Sequence, residues 1–262
     1  MSLAAPSADA TVVVTGASSG IGLEIARGLA RRGYPLTLVA RRRDRLDDLA
    51  DELRRAHRVA VEVASLDLGE SAARAEFLHK LHGRPIAGLV NSAGFGTNGP
   101  FQSLPWGRER DQVIVNILAL TELTHAILTP MIARGAGAVL NIGSIAGFQP
   151  LPDAAVYSAT KAYVQTFSEA VHESLRGTGV SCTALCPGPV PTEWWEVAGE
   201  QVPAQATQLS AEEVAEAGIS AMLAGKRVVV PGLVPKLTGL AGRLAPRALL
   251  LPALRIAAAR RR

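Results

Sequence analysis

The sequence of 262 residues is poor in aromatic side chains and in cysteine. Aromatic residues make up 4% of the chain and hydrophobic residues 48%, so small aliphatic side chains must supply most of the core, which suits helices packed closely on a buried sheet. This length and apolar content are enough to bury one hydrophobic core, and we expect a single domain. The net charge is only +4, with arginines in local clusters, so no nucleic-acid partner is expected.

Two further absences bear on compartment and on metal binding. The N-terminal stretch MSLAAPSADATVVV has no basic start followed by a long apolar run, so we see no secretory signal and expect a cytoplasmic protein. Cys182 and Cys186 lie in VSCTALCPG, which has the pattern of a buried strand. In a strand they would point to one face about 13 Å apart, too far for a disulfide, and buried free thiols are expected. His125 and His172 have no ligand-like companions, so no metal site is predicted.

Short β-branched runs alternate with longer helical patterns as far as about residue 230. We predict strands at 11–15, 35–40, 58–63, 86–91, 136–143, 179–186 and 226–230. We predict helices at 20–32, 43–56, 70–82, 104–133, 153–176 and 210–223. In the fourth helix, Pro105 is expected in the first turn and Pro130 at a late break.

Several of these strands are continuously apolar, which is typical of strands covered by helices on both faces. The repeated order of strand and helix predicts an α/β, single-domain Rossmann fold over residues 1–230. Its centre is a doubly wound, mainly parallel, seven-stranded sheet flanked by helices. Ligands are expected at the carboxyl ends of the strands.

The C-terminal tail, residues 231–262, mixes leucines with prolines and spaced arginines. Its apolar runs are interrupted well before the ~20 residues that a membrane-spanning helix needs. We expect short helices that close the pocket or pack on a neighbouring subunit. A basic amphipathic surface that rests on anionic lipid is the alternative.

A glycine-rich turn follows the first predicted strand in TVVVTGASSGIGLEIARGL. Gly16, Gly20 and Gly22 leave room for a pyrophosphate to approach the backbone, and free amides at the helix start favour its negative charge. Glycines required only by the turn are the alternative, but the position after the first strand favours dinucleotide binding.

The TGxxxGxG spacing resembles that of the short-chain dehydrogenase/reductase family. Three later motifs support the likeness: NSAG at 91–94 where the family usually has NNAG, YxxxK from Tyr157 to Lys161, and PGPVPT at 187–192. The resemblance spans about residues 11–195 in consistent order. Besides Tyr157 and Lys161, it implies cofactor contacts by Gly16, Ser18, Ser19, Gly20, Ile21, Gly22, Asp67, Leu68, Asn91, Ala93, Gly94, Pro187, Gly188 and Thr192.

The resemblance also implies which part of the cofactor several of these residues contact. Asp67 and Leu68 would flank the adenine, and the residues of the NSAG motif would pass beneath the adenosine ribose. Pro187, Gly188 and Thr192 would border the nicotinamide. Asp67 has an alternative role as the cap of the helix that begins near residue 70.

The end of the second strand, LVARRRDRL, indicates which nicotinamide cofactor fits. Ala40 occupies the position where an enzyme that prefers NAD usually has an acid, and Arg41 and Arg42 follow. A guanidinium can hold a 2′-phosphate with two parallel donors, which favours NADP. A solvated helix start with local ion pairs is the alternative, and it suits Arg43 and Arg45.

Tyr157 and Lys161 are four residues apart in VYSATKAY, so on a helix they share one face. The reference pKa of tyrosine is about 10, so proton exchange near neutral pH requires positive charge that stabilises the phenolate. Taken alone, the spacing is also typical of an exposed helix face. The resemblance implies that Ser144 hydrogen-bonds the substrate oxygen, Tyr157 gives or takes its proton, Lys161 holds the nicotinamide ribose, and Asn116 positions a water in a proton relay. A purely structural role for Asn116 is the alternative.

Three segments near the predicted nicotinamide end are candidates for substrate contact: 94–101, 147–153 and the loop 193–206, which is also a candidate lid. Their apolar surface suggests a hydrophobic substrate and comes from Phe95, Phe148, Leu151, Trp194 and Trp195. The resemblance implies an NADP-dependent oxidoreductase that moves a hydride between the nicotinamide and a ketone, aldehyde or secondary alcohol, and that forms a homodimer or homotetramer. An NADP-binding sensor or scaffold is the alternative, but such a protein has no need of the complete Ser, Tyr, Lys and Asn set.

Overall fold

A parallel β-sheet lies at the centre of the structure, a computed structural model that describes residues 3–199 and 209–259. The strands are β1 (Thr11–Thr15), β2 (Leu36–Ala40), β3 (Val61–Ser65), β4 (Ile86–Asn91), β5 (Gly137–Ile142), β6 (Val180–Leu185) and β7 (Val228–Val229). Their order across the sheet is β3-β2-β1-β4-β5-β6-β7, and every neighbouring pair in it is parallel. The predicted doubly wound Rossmann fold is confirmed.

Helices cover both faces of this sheet. They are α1 (Gly20–Arg31), α2 (Arg43–His57), α3 (Ser71–Leu81), α4 (Trp106–Val113), α5 (Leu120–Arg134), α6 (Ala155–Ser174), α7 (Trp194–Ala198), α8 (Ala211–Leu223), α9 (Leu233–Leu244) and α10 (Arg247–Ala259). One core cluster joins α1, α2 and α8 to the sheet, and a second joins α3 and α5 to its other face. The chain order reverses direction between β1 and β4, and in sheets of this kind the binding crevice lies at that switch point.

The third strand begins three residues later than predicted, at Val61 instead of residue 58. Arg58 adopts a left-handed conformation, with φ of 56°, and ends α2. Strand pairing then starts where Val61 lies opposite Leu36. The valine pattern alone did not reveal that residue 58 belongs to a helix cap.

The predicted break of the fourth helix at Pro130 is wrong. Helical structure runs without interruption from Trp106 to Arg134, and Gly135 ends it with a φ of 68°, a conformation that glycine adopts at little cost. The middle turn, Ile114–Ala119, has the wider geometry of a π-helix, a feature often found at functional sites.

This long helix, Trp106–Arg134, is the one helix of the described residues that is long and apolar enough to span a membrane by length and composition. Length and composition do not distinguish a membrane span from a helix packed on a sheet. In this fold Leu123, Ile127 and Met131 are buried in the core.

The tail forms α9 and α10, as its leucine pattern predicted. The buried side of α9 lies on the turn Ile145–Phe148, where a Cβ at Gly239 would come within 2.3 Å of the Phe148 ring. Arg243 extends over the same ring, with its guanidinium carbon 4.6 Å from the ring centre, and forms an ion pair with Glu169. The first tail helix is therefore fixed on the body of the protein.

Candidate active site

One large cavity opens at the carboxyl ends of the strands, with a volume of about 1390 Å³. Pockets for a single small ligand usually measure about 300–1,000 Å³, so this one has room for a dinucleotide and a second molecule. Seventeen of the predicted catalytic and cofactor-binding residues line it, together with Ala40: Gly16, Ser18, Ser19, Gly20, Ile21, Arg41, Arg42, Asp67, Leu68, Ala93, Gly94, Ser144, Tyr157, Lys161, Pro187, Gly188 and Thr192.

The glycine-rich turn forms one end of the cavity between β1 and α1. Gly16 has a φ of 67°, and a Cβ there would lie 2.8 Å from the backbone of Ala93. Gly20 starts α1 with a φ of 56°. The turn thus has the open backbone and the free helix amides that a pyrophosphate requires, and the residues present fit a bound dinucleotide.

Two arginines follow β2 at the same end. The Arg41 side chain is 74% exposed, and its Nη1 lies 3.7 Å from a carboxylate oxygen of Asp67. Arg42 donates to Ser18 Oγ at 3.0 and 3.2 Å, so its guanidinium rests against the glycine-rich turn. Both cations border the part of the cavity where a 2′-phosphate is expected.

Glu193, the first residue of the candidate loop 193–206, joins this arginine cluster to the segment before α7, and this pairing was not predicted. It accepts from Arg42 at 2.8 Å and from Arg45 at 2.5 Å. These two hydrogen bonds hold the pKa of Glu193 below its usual range, with Arg42 contributing most. Arg45, expected to make only local ion pairs, instead contacts a residue 148 positions away.

Ser144, Tyr157 and Lys161 lie on the opposite wall. Lys161 is buried and donates to the Ile142 carbonyl at 2.8 Å, and its Nζ lies 5.7 Å from the centre of the Tyr157 ring. Burial lowers the pKa of Lys161 to about 8. The helix α6 therefore presents a phenol and a buried amine to the same space as the serine hydroxyl, as the four-residue spacing predicted.

The serine is held next to α6 by a close backbone contact. Ser144 Oγ caps the turn Ile145–Phe148 by accepting from the Ala146 amide at 3.1 Å. In that turn, a Cβ at Gly147 would lie 2.6 Å from the backbone of Lys161. Only glycine allows this separation, so the turn and α6 behave as one packed unit.

Asn116 lies behind the cavity wall, in the π-helical turn. It donates to the Phe95 carbonyl at 2.9 Å and to Thr160 Oγ1 at 3.1 Å, and its Oδ1 accepts from the Phe95 amide at 3.2 Å. Gly94 separates it from Lys161: a Cβ at Gly94 would approach Asn116 Oδ1 to 2.9 Å and Lys161 Nζ to 3.8 Å. These bonds give Asn116 a structural role, and its part in a proton relay stays a prediction.

Apolar side chains from separate segments surround the wall that carries Tyr157. Trp194 lies with its ring 4.9 Å from that of Tyr157, and a Cβ at Gly96 would come within 2.4 Å of the Trp194 ring. The remaining apolar lining includes Phe95, Leu151, Trp195, Val197, Val234 and Leu254. Of the candidate loop 193–206, residues 200–206 lie outside the described residues.

Four predicted residues are not brought to the cavity. Gly22 packs against the carbonyl of the turn, where a Cβ would lie 2.4 Å from Gly16 O, so its role is structural. Asn91 is buried in the sheet and donates to Thr124 and Asn141. Phe148 is covered by α9, and Asn116 lies behind the wall as described.

Several wall residues were not named by the sequence analysis, above all the tail residues Val234, Pro235, Thr238 and Leu254. The tail was expected to close the pocket or to pack on a neighbouring subunit, and the spacing of four between Val234 and Thr238 is consistent with one helix face toward the cavity. The two cysteines are free and buried, as predicted, and burial raises the pKa of both thiols to about 12.

Comparison with protein families gives a match to the short chain dehydrogenase model over residues 10–203. Among curated proteins, the chain is 39% identical over 216 residues to sulfoacetaldehyde reductase 2 of Chromohalobacter salexigens, covering 78% of this chain and 85% of that protein.

Solved structures show the same fold. A short-chain dehydrogenase from Sphingobium yanoikuyae in complex with NADPH superimposes with a TM-score of 0.83 and 34% identity, covering 93% of this chain and 95% of that chain. The bulky-bulky ketone specific alcohol dehydrogenase from Comamonas testosteroni gives a TM-score of 0.77 and 30% identity, with coverage of 95% and 92%.

Proposed function

The chain belongs to the short-chain dehydrogenase family, and we propose that it is an NADP-dependent oxidoreductase that acts on bulky, hydrophobic ketones or aldehydes and on the matching secondary alcohols. The observation that carries the proposal is the wall where Ser144, Tyr157 and Lys161 meet beneath apolar side chains. NADP is the cofactor, held by the glycine-rich turn at one end and by Lys161 and the 187–192 segment at the other.

When bound, NADP supplies or accepts the hydride at its nicotinamide ring. In the reducing direction Tyr157 donates its hydroxyl proton to the substrate carbonyl oxygen, which becomes the alcohol oxygen, and the phenol becomes a phenolate. Ser144 Oγ donates a hydrogen bond to the same oxygen and orients it. The charge of Lys161, buried beside the Tyr157 ring, favours the phenolate. In the oxidising direction the phenolate takes the proton back.

The lining supports a neutral, apolar substrate. Phe95, Leu151, Trp194 and Val197 face the substrate end, and among the described lining residues Lys161 is the single cation there. Arg41 and Arg42 lie at the other end, beside the glycine-rich turn. The sequence at 200–208, EQVPAQATQ, contains no lysine or arginine. Arg108 lies outside this lining, over the Phe95 ring, and donates to the Val197 carbonyl. A sulfonate or carboxylate on the substrate would thus find no cation in the described lining other than Lys161, and burying an unpaired charge is costly.

The test is a set of initial rates of NADPH oxidation with carbonyl compounds that differ in size and charge. We expect kcat/KM to be highest for ketones with two bulky apolar substituents and at least about tenfold lower for sulfoacetaldehyde, because its charge is desolvated without compensation. A preference for sulfoacetaldehyde would contradict the substrate class but leave the reaction type intact. Absence of NADPH oxidation with every carbonyl, and of NADP reduction with the alcohols, would contradict the enzymatic proposal itself.

A further inference from the structure

The first tail helix carries a row of leucines on its outer side. Leu233, Leu237, Leu240 and Leu244 are each 54–73% exposed. Their spacing of four, three and four residues places them within about 60° of one another on a helix that turns by about 100° per residue. An exposed stripe of this kind is unusual on the surface of a monomeric soluble protein and marks a contact with another protein or with a membrane.

The opposite side of α9 faces the body of the protein. Gly239 and Gly242 are buried and lie against Phe148 and Gln149, and Pro235 packs on Gly188. The stripe therefore points outward because the helix is fixed by its small-residue face. Leu249, Leu251 and Ile256 of α10 extend the exposed apolar surface at 71, 42 and 53% exposure.

The charge of the tail has a single sign. Residues 231–262 contain seven of the chain's 27 lysines and arginines and none of its 23 acidic residues. Residues 1–230 consequently carry 20 basic against 23 acidic residues, so the whole positive net charge of the chain lies in the tail. Lys236 and Arg255 are exposed, and Arg243 is engaged by Glu169.

We propose that the tail docks this enzyme on an anionic lipid surface, with the leucine stripe entering the headgroup region and the cations meeting the lipid phosphates and carboxylates. Exposed leucines combined with one-signed charge are the features that hold amphipathic helices in a membrane interface. A second copy of the chain is less suited to this surface, because in a two-fold contact the patch would meet itself, and exposed cations such as Lys236 and Arg255 would approach like charges.

Docking through α9 would also place the cavity close to the membrane surface. Val234 and Thr238 of α9 and Leu254 of α10 belong to the cavity wall, so the helix that carries the stripe also borders the site. An apolar substrate dissolved in the lipid would then meet the site at the membrane surface. This consequence depends on the proposed function, whereas docking itself does not.

The test is co-sedimentation of the full-length protein with vesicles, which needs no turnover. We expect binding to phosphatidylcholine vesicles that contain about 30 mol % phosphatidylserine, and at least about tenfold weaker binding to phosphatidylcholine alone. Raising the salt to about 0.5 M should weaken the binding similarly, because the Debye length falls to a few ångströms. Leu240→Ser with Leu244→Ser, and separately Lys236→Glu with Arg255→Glu, should each reduce the partition coefficient at least about tenfold.

Matched control variants carry the same kinds of substitution at exposed positions outside the tail. Leu118→Ser replaces a leucine that is 49% exposed, and Arg55→Glu with Lys80→Glu reverses two exposed cations; neither should change vesicle binding more than about twofold. Equal binding to both kinds of vesicle, or equal losses in the controls, would overturn the proposal. It would also be overturned if the leucine double variant left vesicle binding unchanged and instead reduced the oligomer size measured by light scattering.

Discussion

Replacing Arg41 by alanine tests cofactor choice with the least structural disturbance. Its side chain is 74% exposed, and within the described part of the chain its one ion pair is the 3.7 Å contact with Asp67, so removing it should leave the fold unchanged. A hydrogen bond to a charged group contributes about 1.5–3 kcal/mol. Because solvent screens so exposed a guanidinium, we take about 1–1.5 kcal/mol, which corresponds to a rise of roughly five- to twelvefold in KM for NADPH.

The assay compares KM and kcat/KM for NADPH and NADH with one ketone. NADH lacks the 2′-phosphate, so its KM should change less than about twofold in Arg41→Ala. Arg43→Ala is the matched control, since that side chain is 70% exposed and paired within its own helix with Asp47, and it should affect neither cofactor. If KM for NADPH and KM for NADH rose equally in Arg41→Ala, the argument that this arginine recognises the phosphate would be refuted.

Three further predictions concern the groups around the cavity. Tyr157→Phe should lower kcat by about 10²–10⁴-fold while NADPH binding, measured by fluorescence, stays within about twofold; near-normal turnover would exclude Tyr157 as the proton donor. Lys161→Met should raise the free energy of unfolding below pH 8, because it removes a buried charge. The gain is up to about 3 kcal/mol, reduced by the loss of the hydrogen bond to Ile142. Burial lowers the pKa of Lys161 from 10.5 to about 8, so between pH 8 and 10.5 the unfolded chain binds more protons than the native protein, which therefore gains stability as the pH rises. In urea titrations the difference in unfolding free energy between Lys161→Met and the original protein should vanish near pH 10.5. A difference that does not change with pH would contradict this. Glu193→Gln should lower KM for NADPH about two- to fivefold, because it frees Arg42 from a partly exposed ion pair; an unchanged or higher KM would show that the carboxylate does not compete with the phosphate.

Local motifs carried most of what could be predicted. The glycine-rich turn and the Tyr157–Lys161 pair depend on contacts within a few residues, so their spacing in sequence fixes their geometry. The parallel, doubly wound sheet followed from the alternation of strands and helices and from right-handed crossovers. The prediction that Phe148 contacts the substrate was wrong, because an aromatic residue beside a pocket and one beneath a helix have the same appearance in the sequence.

Contacts between distant segments could not be predicted. Glu193 reaches Arg42 across 151 positions, and no periodicity relates the two. The tail residues that line the cavity depend on where α9 packs, which is decided by glycines that fit around Phe148 and Gln149. Asn116 was predicted to position a water in a proton relay, but it bonds to Phe95 and Thr160 from within a π-helical turn, which the apolar sequence around it does not reveal.

The close approach of Gly147 to α6 separates a catalytic part of the site, whose residues must change together, from a substrate-binding part, whose residues can change one by one. Serine, phenol and amine share a single scaffold, so any change that widens this contact disturbs all three together. The surfaces expected to meet the substrate arise from the segment after Thr192 and from the tail, which lie far along the chain and outside that scaffold. Exchange of these segments between relatives should therefore alter which compounds are accepted while the underlying chemistry survives.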